Sequence, residues 1–119
     1  MSELLFDINL QQLPDEYLAG EWRVADRVLN RTDPHSPLAR ADRFQLRTGH
    51  LKVAADDYEE QGQWRVQRDE VLGRPYLELE VAQEHTRALI TRLRRSADGL
   101  SSQLNLYFMS GMEVQLVQA

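Results

Sequence analysis

The chain has 119 residues, with 14 basic and 19 acidic side chains, a net charge of -5 and no cysteine. This length suits one domain, and the missing cysteines exclude disulfides, thiolate metal sites and a cysteine nucleophile. The scattered basic residues argue against nucleic acid as a partner, and no apolar run approaches the ~20 residues of a membrane span. We therefore expect one small acidic domain over residues 1–119.

Residues 1–17 are predicted to be a helical lead-in to the domain. Ser2 is placed to cap a short amphipathic helix. The apolar positions of that helix are Leu4, Leu5 and Ile8. A single helical turn follows Pro14, where a missing N–H is tolerated. Residues 1–13 lack the basic start and long apolar run of a signal peptide, so we expect a cytoplasmic protein unless a leader has been removed.

Residues 18–118 are predicted to form an all-β barrel domain. About eight segments alternate between apolar and polar side chains, as half-buried strands do. They cover residues 18–29, 43–47, 50–56, 63–67, 76–81, 86–95, 103–108 and 112–116. Between Gly49 and Gly111, successive glycines are 13, 11, 26 and 12 residues apart. Turns at such regular spacing are typical of an all-β meander, barrel or sandwich.

Three polar stretches are predicted to connect these strands. Residues 30–41, which contain two prolines, form the longest loop and are expected to cross one end of the barrel. Residues 83–85 supply a turn without glycine inside the longest interval between glycines. Residues 56–60 are acidic, but they lack the ligand spacing and glycine of a calcium loop, so we interpret them as a solvated turn.

A pentapeptide recurs, as residues 20–24 (GEWRV) and residues 62–66 (GQWRV). In a strand, a glycine two residues before a tryptophan places both on the same side. The indole can then lie over backbone that carries no side chain. We expect Trp22 and Trp64 to point inward, either as ordinary buried aromatics or as walls of a ligand site.

The chain resembles the lipocalins and their compact bacterial relatives in the calycin superfamily. The resemblance rests on the helical turn near Pro14 followed by Gly20-Glu21-Trp22, the Trp64 strand, the strand entry at residues 73–77 and the closing hairpin at residues 104–116. It implies an up-and-down antiparallel barrel that either holds a small apolar molecule or fills its interior with side chains.

The chain also departs from the lipocalin pattern. No arginine follows Arg95, whereas lipocalins carry one near the last strand that packs across the first tryptophan. Either an arginine from another strand replaces it, or that closure is absent. The candidate replacements are Arg68, Arg92 and Arg94. The chain is also shorter than secreted lipocalins and lacks their cysteines and C-terminal helix, which favours a smaller interior.

Three polar residues fall on inward-facing phases of the predicted strands, namely Asp26, Arg68 and Thr91. A buried charge must be paired, because leaving it alone costs several kcal/mol. One hypothesis is that Asp26 and Arg68 meet at the barrel mouth and orient a polar ligand group. The alternative is that a bulge or strand end turns each of them to solvent. The candidate ligand-binding residues are Trp22, Asp26, Trp64, Arg68, Thr91 and Phe108.

The outward-facing phases of the strands carry many charged residues, with arginine the dominant cation. They include Glu21, Arg23, Arg27, Arg65, Glu78 and Glu80. Cross-strand charge pairs on a solvated barrel wall explain such a pattern, and so does a protein interface.

No constellation in the sequence indicates catalysis. His35, His50 and His85 have none of the spacings that pair metal ligands, and no nucleophile elbow, phosphate loop or dinucleotide fingerprint occurs. We therefore predict no catalytic residues, no metal and no cofactor.

Taken together, these features predict a non-enzymatic barrel that binds a small apolar ligand. The alternative is a filled barrel that acts as a protein-interaction or structural module, either as a homo-oligomer or with another protein. A continuous interior pocket of ~300 Å³ or more that reaches Trp22 or Trp64 would favour the first. An interior closed by the two indoles, Phe44, Phe108 and Met112 would favour the second.

Overall fold

Strand segments that alternate between apolar and polar residues account for most of the chain. The computed structural model describes residues 4–118. Their strands are β1 (Leu5–Asp7), β2 (Gly20–Val28), β3 (Arg43–Arg47), β4 (His50–Ala55), β5 (Tyr58–Arg68), β6 (Pro75–Val81), β7 (Glu84–Ser96), β8 (Ser102–Phe108) and β9 (Glu113–Gln118). One short helix, α1 (Pro37–Arg40), and two 3-10 turns, Leu10–Gln12 and Asp15–Tyr17, complete the regular structure of this part of the chain.

Strands β2 to β9 form an eight-stranded antiparallel barrel. Each strand pairs with the next, and β9 pairs back with β2 to close the sheet on itself. The predicted all-β, up-and-down barrel of about eight strands is therefore confirmed. We call the end where β2 begins the bottom and the end where β2 finishes the top.

The first predicted helix is wrong. Ser2 lies outside the described residues, and residues 5–7 form β1, which pairs with the end of β7. Because β7 is much longer than β6, its final residues have a free edge that β1 occupies. The Asp7 carboxylate accepts a hydrogen bond from Arg92 Nε at 2.8 Å and lies 3.5 Å from Arg94 Nε. The predicted helical turn after Pro14 is present as the 3-10 turn Asp15–Tyr17.

The long loop is present as predicted and crosses the top of the barrel, between β2 and β3. It contains α1, which the sequence did not predict. The turn without glycine is also present, one residue earlier than expected. It is formed by Ala82 and Gln83, which both have positive φ angles, of 51° and 67°. Two such residues between β6 and β7 give the tight hairpin turn whose twist matches that of the strands.

Two β-bulges interrupt the alternation. In β2 the register with β9 shifts between Val24 and Asp26, and in β7 the register with β8 shifts between Ile90 and Arg92. A single extra residue reverses the inward and outward faces of everything that follows it. The second bulge explains why Ala88 and Ile90 share one phase of the alternation in β7 while Leu93, which is also buried, falls on the other.

Gly62 is required where β5 passes close to β6. A Cβ atom at this position would lie 1.8 Å from the carbonyl oxygen of Glu80, which belongs to a paired strand backbone. Such a backbone atom cannot rotate away as the end of a side chain can. The glycine of the second pentapeptide therefore allows the close approach of two strands.

We expect Gly62→Ala to lower the free energy of unfolding by about 1–3 kcal/mol, because the new methyl group forces two strands apart. Urea unfolding followed by tryptophan fluorescence measures this loss. The control is Gln61→Ala, an exposed neighbour on the same strand, which should change stability little. Equal stability of the two variants would contradict the crowding at Gly62.

The attachment of β1 should depend on pH. The hydrogen bond from Arg92 holds the pKa of the Asp7 carboxyl below its ordinary value of 3.8. Because the pKa is lowered on folding, the contribution of Asp7 is complete above pH 3.8 and is lost as the pH falls through the lower, folded value. Asp7→Asn should therefore speed amide exchange in β1 at neutral pH, as NMR would show. Asp56→Asn, in an exposed turn, should leave that exchange unchanged.

Candidate functional site

Both tryptophans of the repeated pentapeptide point into the barrel. Trp22 is 1% exposed, and its indole N–H donates to the carbonyl of Leu18 at 2.8 Å. Trp64 is 8% exposed, and its indole N–H donates to the carbonyl of Arg47 at 2.6 Å. The polar atom of each ring is thus bound by backbone, so neither indole presents a free donor to a ligand.

The interior of the barrel is filled by side chains from all eight strands. Residues on these inward faces with at most 2% of their surface accessible include Phe44, Leu51, Val53, Leu77, Leu79, Ile90, Leu93, Leu104, Leu106, Phe108 and Leu116. The walls of a ligand cavity would keep accessible surface facing that cavity. The barrel formed by the described residues therefore holds no cavity of ligand size along its axis.

Both ends of the barrel are closed by apolar side chains. At the bottom, Leu13 and Leu18 from the lead-in segment are buried beneath the strands. At the top, Leu38 of α1 and Met112 of the last hairpin are buried in the same hydrophobic core. A ligand would have to displace one of these closures to enter.

Polar contacts hold α1 over the top. The Ser36 hydroxyl donates to the Glu84 carboxylate at 2.6 Å, and the Tyr58 hydroxyl donates to the carbonyl of Pro37. Burial raises the pKa of Tyr58 above its ordinary value of 10.0, so the hydroxyl keeps its proton at neutral pH. Arg40 forms a 2.6 Å ion pair with Asp57. The top closure is therefore tied to β5, β7 and the turn between β4 and β5.

Asp26 and Arg68 do not meet, and the hypothesis that they form a pair at the barrel mouth is wrong. The bulge in β2 turns Asp26 outward, where its carboxylate accepts the N–H of Arg27 at 2.9 Å. Arg68 ends β5 at the bottom and donates to the carbonyls of Leu10 at 3.0 Å and Gly73 at 2.8 Å. Each is exposed, as the alternative of a bulge or strand end predicted.

The bulge in β2 also changes the side of the sheet on which the two residues after Asp26 lie. Arg27 turns toward the top of the interior, and its guanidinium donates to the carbonyl of Ala41 at 2.7 Å. Val28 is on the same phase as Trp22 and Val24, which simple alternation would place inward, but it is 48% exposed on the outer wall.

The remaining two candidate residues, Thr91 and Phe108, lie in different environments. The bulge in β7 places Thr91 on the outside, where its hydroxyl donates to the carbonyl of Asn105 at 3.2 Å. Thr91 is therefore turned to solvent by a bulge, as the alternative for these three polar residues predicted. Phe108 belongs to the buried core. The structure thus brings together only the aromatic members of the predicted site, and it packs them in the core.

The arginine that covers the bottom of the barrel is none of the three candidate replacements named in the sequence analysis. Arg95 stacks over the ring of Tyr17, with its guanidinium carbon 3.9 Å from the ring centre. Arg92 and Arg94 instead bind Asp7, and Arg68 binds backbone carbonyls. A cation therefore covers the lead-in segment, although it comes from β7 and covers a tyrosine.

Three concave regions of the described residues lie on the outer wall. One has a volume of about 430 Å³ and is lined mainly by outward residues of β2, β3 and β4, with part of β5 and β9. A second, of about 400 Å³, lies over β5 and β6, and a third, of about 190 Å³, lies over β2, β8 and β9. The first two border Trp22 and Trp64 respectively, but both indoles are buried behind the strands. The volumes of these regions would suit a ligand. Because the regions lie on the outer wall, however, they are surface grooves and not interior cavities.

Several outward charges are paired across strands. Glu78 on β6 binds Arg65 on β5 at 2.6 Å and lies 3.9 Å from Arg87 on β7. Arg23 on β2 forms no ion pair with a described residue and lies directly opposite Arg43 on β3. Alternation predicts that each points outward, but the cross-strand register that makes them neighbours is not visible in sequence alone.

The three histidines lie on different elements of the fold. His35 lies in the top loop, His50 begins β4 at the bottom, and His85 lies near the start of β7 at the top. Within residues 4–118, no three side chains of histidine, aspartate or glutamate are grouped so that they could hold a metal ion.

Comparisons with protein-family models, curated proteins and solved structures found no match to this chain. No helix in residues 4–118 has the length and apolar character needed to cross a membrane. The function therefore has to be inferred from the barrel itself.

Replacing each tryptophan by phenylalanine should show how much the hydrogen bond of its indole contributes to the free energy of unfolding. We expect Trp22→Phe to cost about 1–3 kcal/mol, because the carbonyl of fully buried Leu18 loses its donor and no water can replace it. Trp64→Phe should cost less, because Arg47 lies at an exposed strand end. Thermal and urea unfolding of both variants test this order, and a smaller loss for Trp22→Phe would contradict it.

Proposed function

We propose that the chain is a non-enzymatic, filled β-barrel that binds another protein through its outer wall. The observation that carries this proposal is the packed interior, in which two indoles, Phe44, Phe108 and Met112 occupy the space that a ligand would need. Of the two functions that the sequence allows, the interaction module agrees with this packing better than the apolar-ligand binder.

Several features support the same interpretation. The described grooves lie on the outside of the barrel, and tyrosine and arginine, which are enriched in protein interfaces, occur on that wall. Tyr107 is 48% exposed, and Met109, in the turn that follows β8, is 74% exposed. A rigid barrel also holds such residues at fixed positions, so little ordering is required on binding.

The proposal includes a relationship with the calycin barrels. The up-and-down meander, the 3-10 turn before the first barrel strand and the glycine–tryptophan entry support it. The cysteine-free composition suits a reducing compartment such as the bacterial cytoplasm.

The packed interior predicts that apolar ligands leave the tryptophans unaffected. Titration with oleate, retinol or haem should give no saturable change in tryptophan fluorescence, and native mass spectrometry of the freshly purified protein should show no bound small molecule. As a control for sensitivity, Phe108→Ala should open a cavity that takes up benzene or xenon. Saturable quenching with a stoichiometric ligand in the unmodified protein would overturn the proposal.

The partner is expected on the outer wall. Cross-linking in a lysate of the source cells, with a reagent that joins carboxyl groups because Lys52 is the one lysine, should place partner peptides on outward residues of the strands. Cross-links confined to the bottom and top closures would contradict a wall interface.

A further inference from the structure

The arrangement of cations on the outer wall sets one position apart. Eight basic residues of the described chain have a carboxylate within 4.0 Å, and they are Arg27, Arg40, Lys52, Arg65, Arg74, Arg87, Arg92 and Arg94. The other six, Arg23, Arg31, Arg43, Arg47, Arg68 and Arg95, form no ion pair with a described residue. Among these six, Arg23 and Arg43 lie directly opposite each other on β2 and β3. We call Arg23 and Arg43 the arginine pair.

Like charges directly opposite one another destabilise a sheet. The chain carries 19 acidic side chains, so carboxylates were available to separate these two cations. The same wall shows that separation elsewhere, since Lys52 binds Glu59 at 3.2 Å and Arg65 binds Glu78 at 2.6 Å. An unfavourable pair at this position therefore indicates a requirement other than stability.

The arginine pair lies in the outer-wall groove of about 430 Å³ that is formed by β2, β3 and β4. Ala54, the cross-strand neighbour of Arg43, and Val117, the cross-strand neighbour of Arg23, add apolar surface to this groove. The flanking carboxylates are already occupied, because Glu21 accepts a hydrogen bond from Gln45 at 2.8 Å and Glu59 binds Lys52. The two guanidinium groups are thus the unpaired donors of the groove.

We infer that this groove binds an acidic segment of a partner protein, with the arginine pair holding one or two of its carboxylates. The inference rests on the proposed function and names the chemistry of the partner. Guanidinium groups bind carboxylates through paired N–H donors, which suits recognition of aspartate or glutamate side chains. An apolar side chain of the same segment would lie against Ala54 and Val117.

The surroundings favour a peptide over a polyanion. Nucleic acid binding requires many clustered cations, whereas this groove has two free arginines bordered by Glu21 and Glu59 on a chain of net charge -5. A peptide, in contrast, can bind through only one or two charged contacts. Because both edges of β3 are already paired, the segment is held by side chains and does not add as a further strand.

The test starts from a display library of random peptides about twelve residues long, selected against the immobilised protein. We expect enrichment of peptides that contain aspartate or glutamate beside an apolar residue. In NMR spectra, a selected peptide should perturb amides of β2, β3 and β4. Its affinity should fall as salt is raised, because the contacts are solvent-exposed ion pairs.

The double variant Arg23→Gln with Arg43→Gln should bind the selected peptide at least about tenfold more weakly, because charge-assisted hydrogen bonds are lost. A control with the same change in net charge is Arg31→Gln with Arg74→Gln, at sites outside the groove, and should bind normally. The groove variant should also keep or raise its melting temperature, which separates lost recognition from lost folding.

Three outcomes would overturn this inference. They are selected peptides without acidic residues, perturbations that map outside the groove, or equal affinity for the groove and control variants. Tripolyphosphate and a short DNA duplex serve as further probes, and tighter binding of either through the arginine pair would replace the acidic peptide by a phosphate ligand. Failure of the proposed function has a different signature, because it appears as a small molecule bound inside the barrel.

Discussion

Pairing of β9 with β2 closes the sheet on itself, and this closure sets the radius of the barrel. An eight-stranded barrel has an interior about as wide as the side chains that point into it. When those side chains include two indoles, two phenylalanines and several leucines, they meet at the axis and leave little space. Under the function proposed above, recognition takes place on the outside, where strands hold their side chains in a fixed order.

The two bulges allow this sequence to form so small a barrel. A bulge bends a strand and increases its twist, which a small barrel requires. The extra residues at Ala25 and Thr91 also turn polar side chains away from the core, so that Asp26 avoids burial without a partner. Arg27 takes the inward position at the barrel mouth, where the carbonyl of Ala41 satisfies it. The irregularities thus place each charge near water or a hydrogen-bond acceptor.

The sequence predicts most of the barrel but little of the groove that contains the arginine pair. Alternation in segments such as residues 76–81 specifies strands, and the regular turns specify a meander. Alternation cannot locate an inserted residue, so it leaves open whether Asp26 and Thr91 point inward or outward. It cannot reveal β1 either, because a strand of three residues depends on the free edge of β7.

The arginine pair shows a second limit of sequence interpretation. That Arg23 and Arg43 each point outward follows from their own strands. That they face each other depends on the register between β2 and β3, which is fixed by the turns and by core contacts such as Trp22 opposite Phe44. A property shared by two strands is therefore hidden until their pairing is known.

Closure of the barrel also affects the chain during its synthesis on the ribosome. Hairpins between successive strands are local and can form while the chain is still being made. Arg23 and Val117, which lie opposite each other in the closing pair, are separated by about 90 residues. Until β9 leaves the ribosome, the growing sheet exposes the unpaired edges of β2 and β8, and such edges invite association with other chains. Synthesis of the last strand thus ends the period in which this protein is most vulnerable to aggregation.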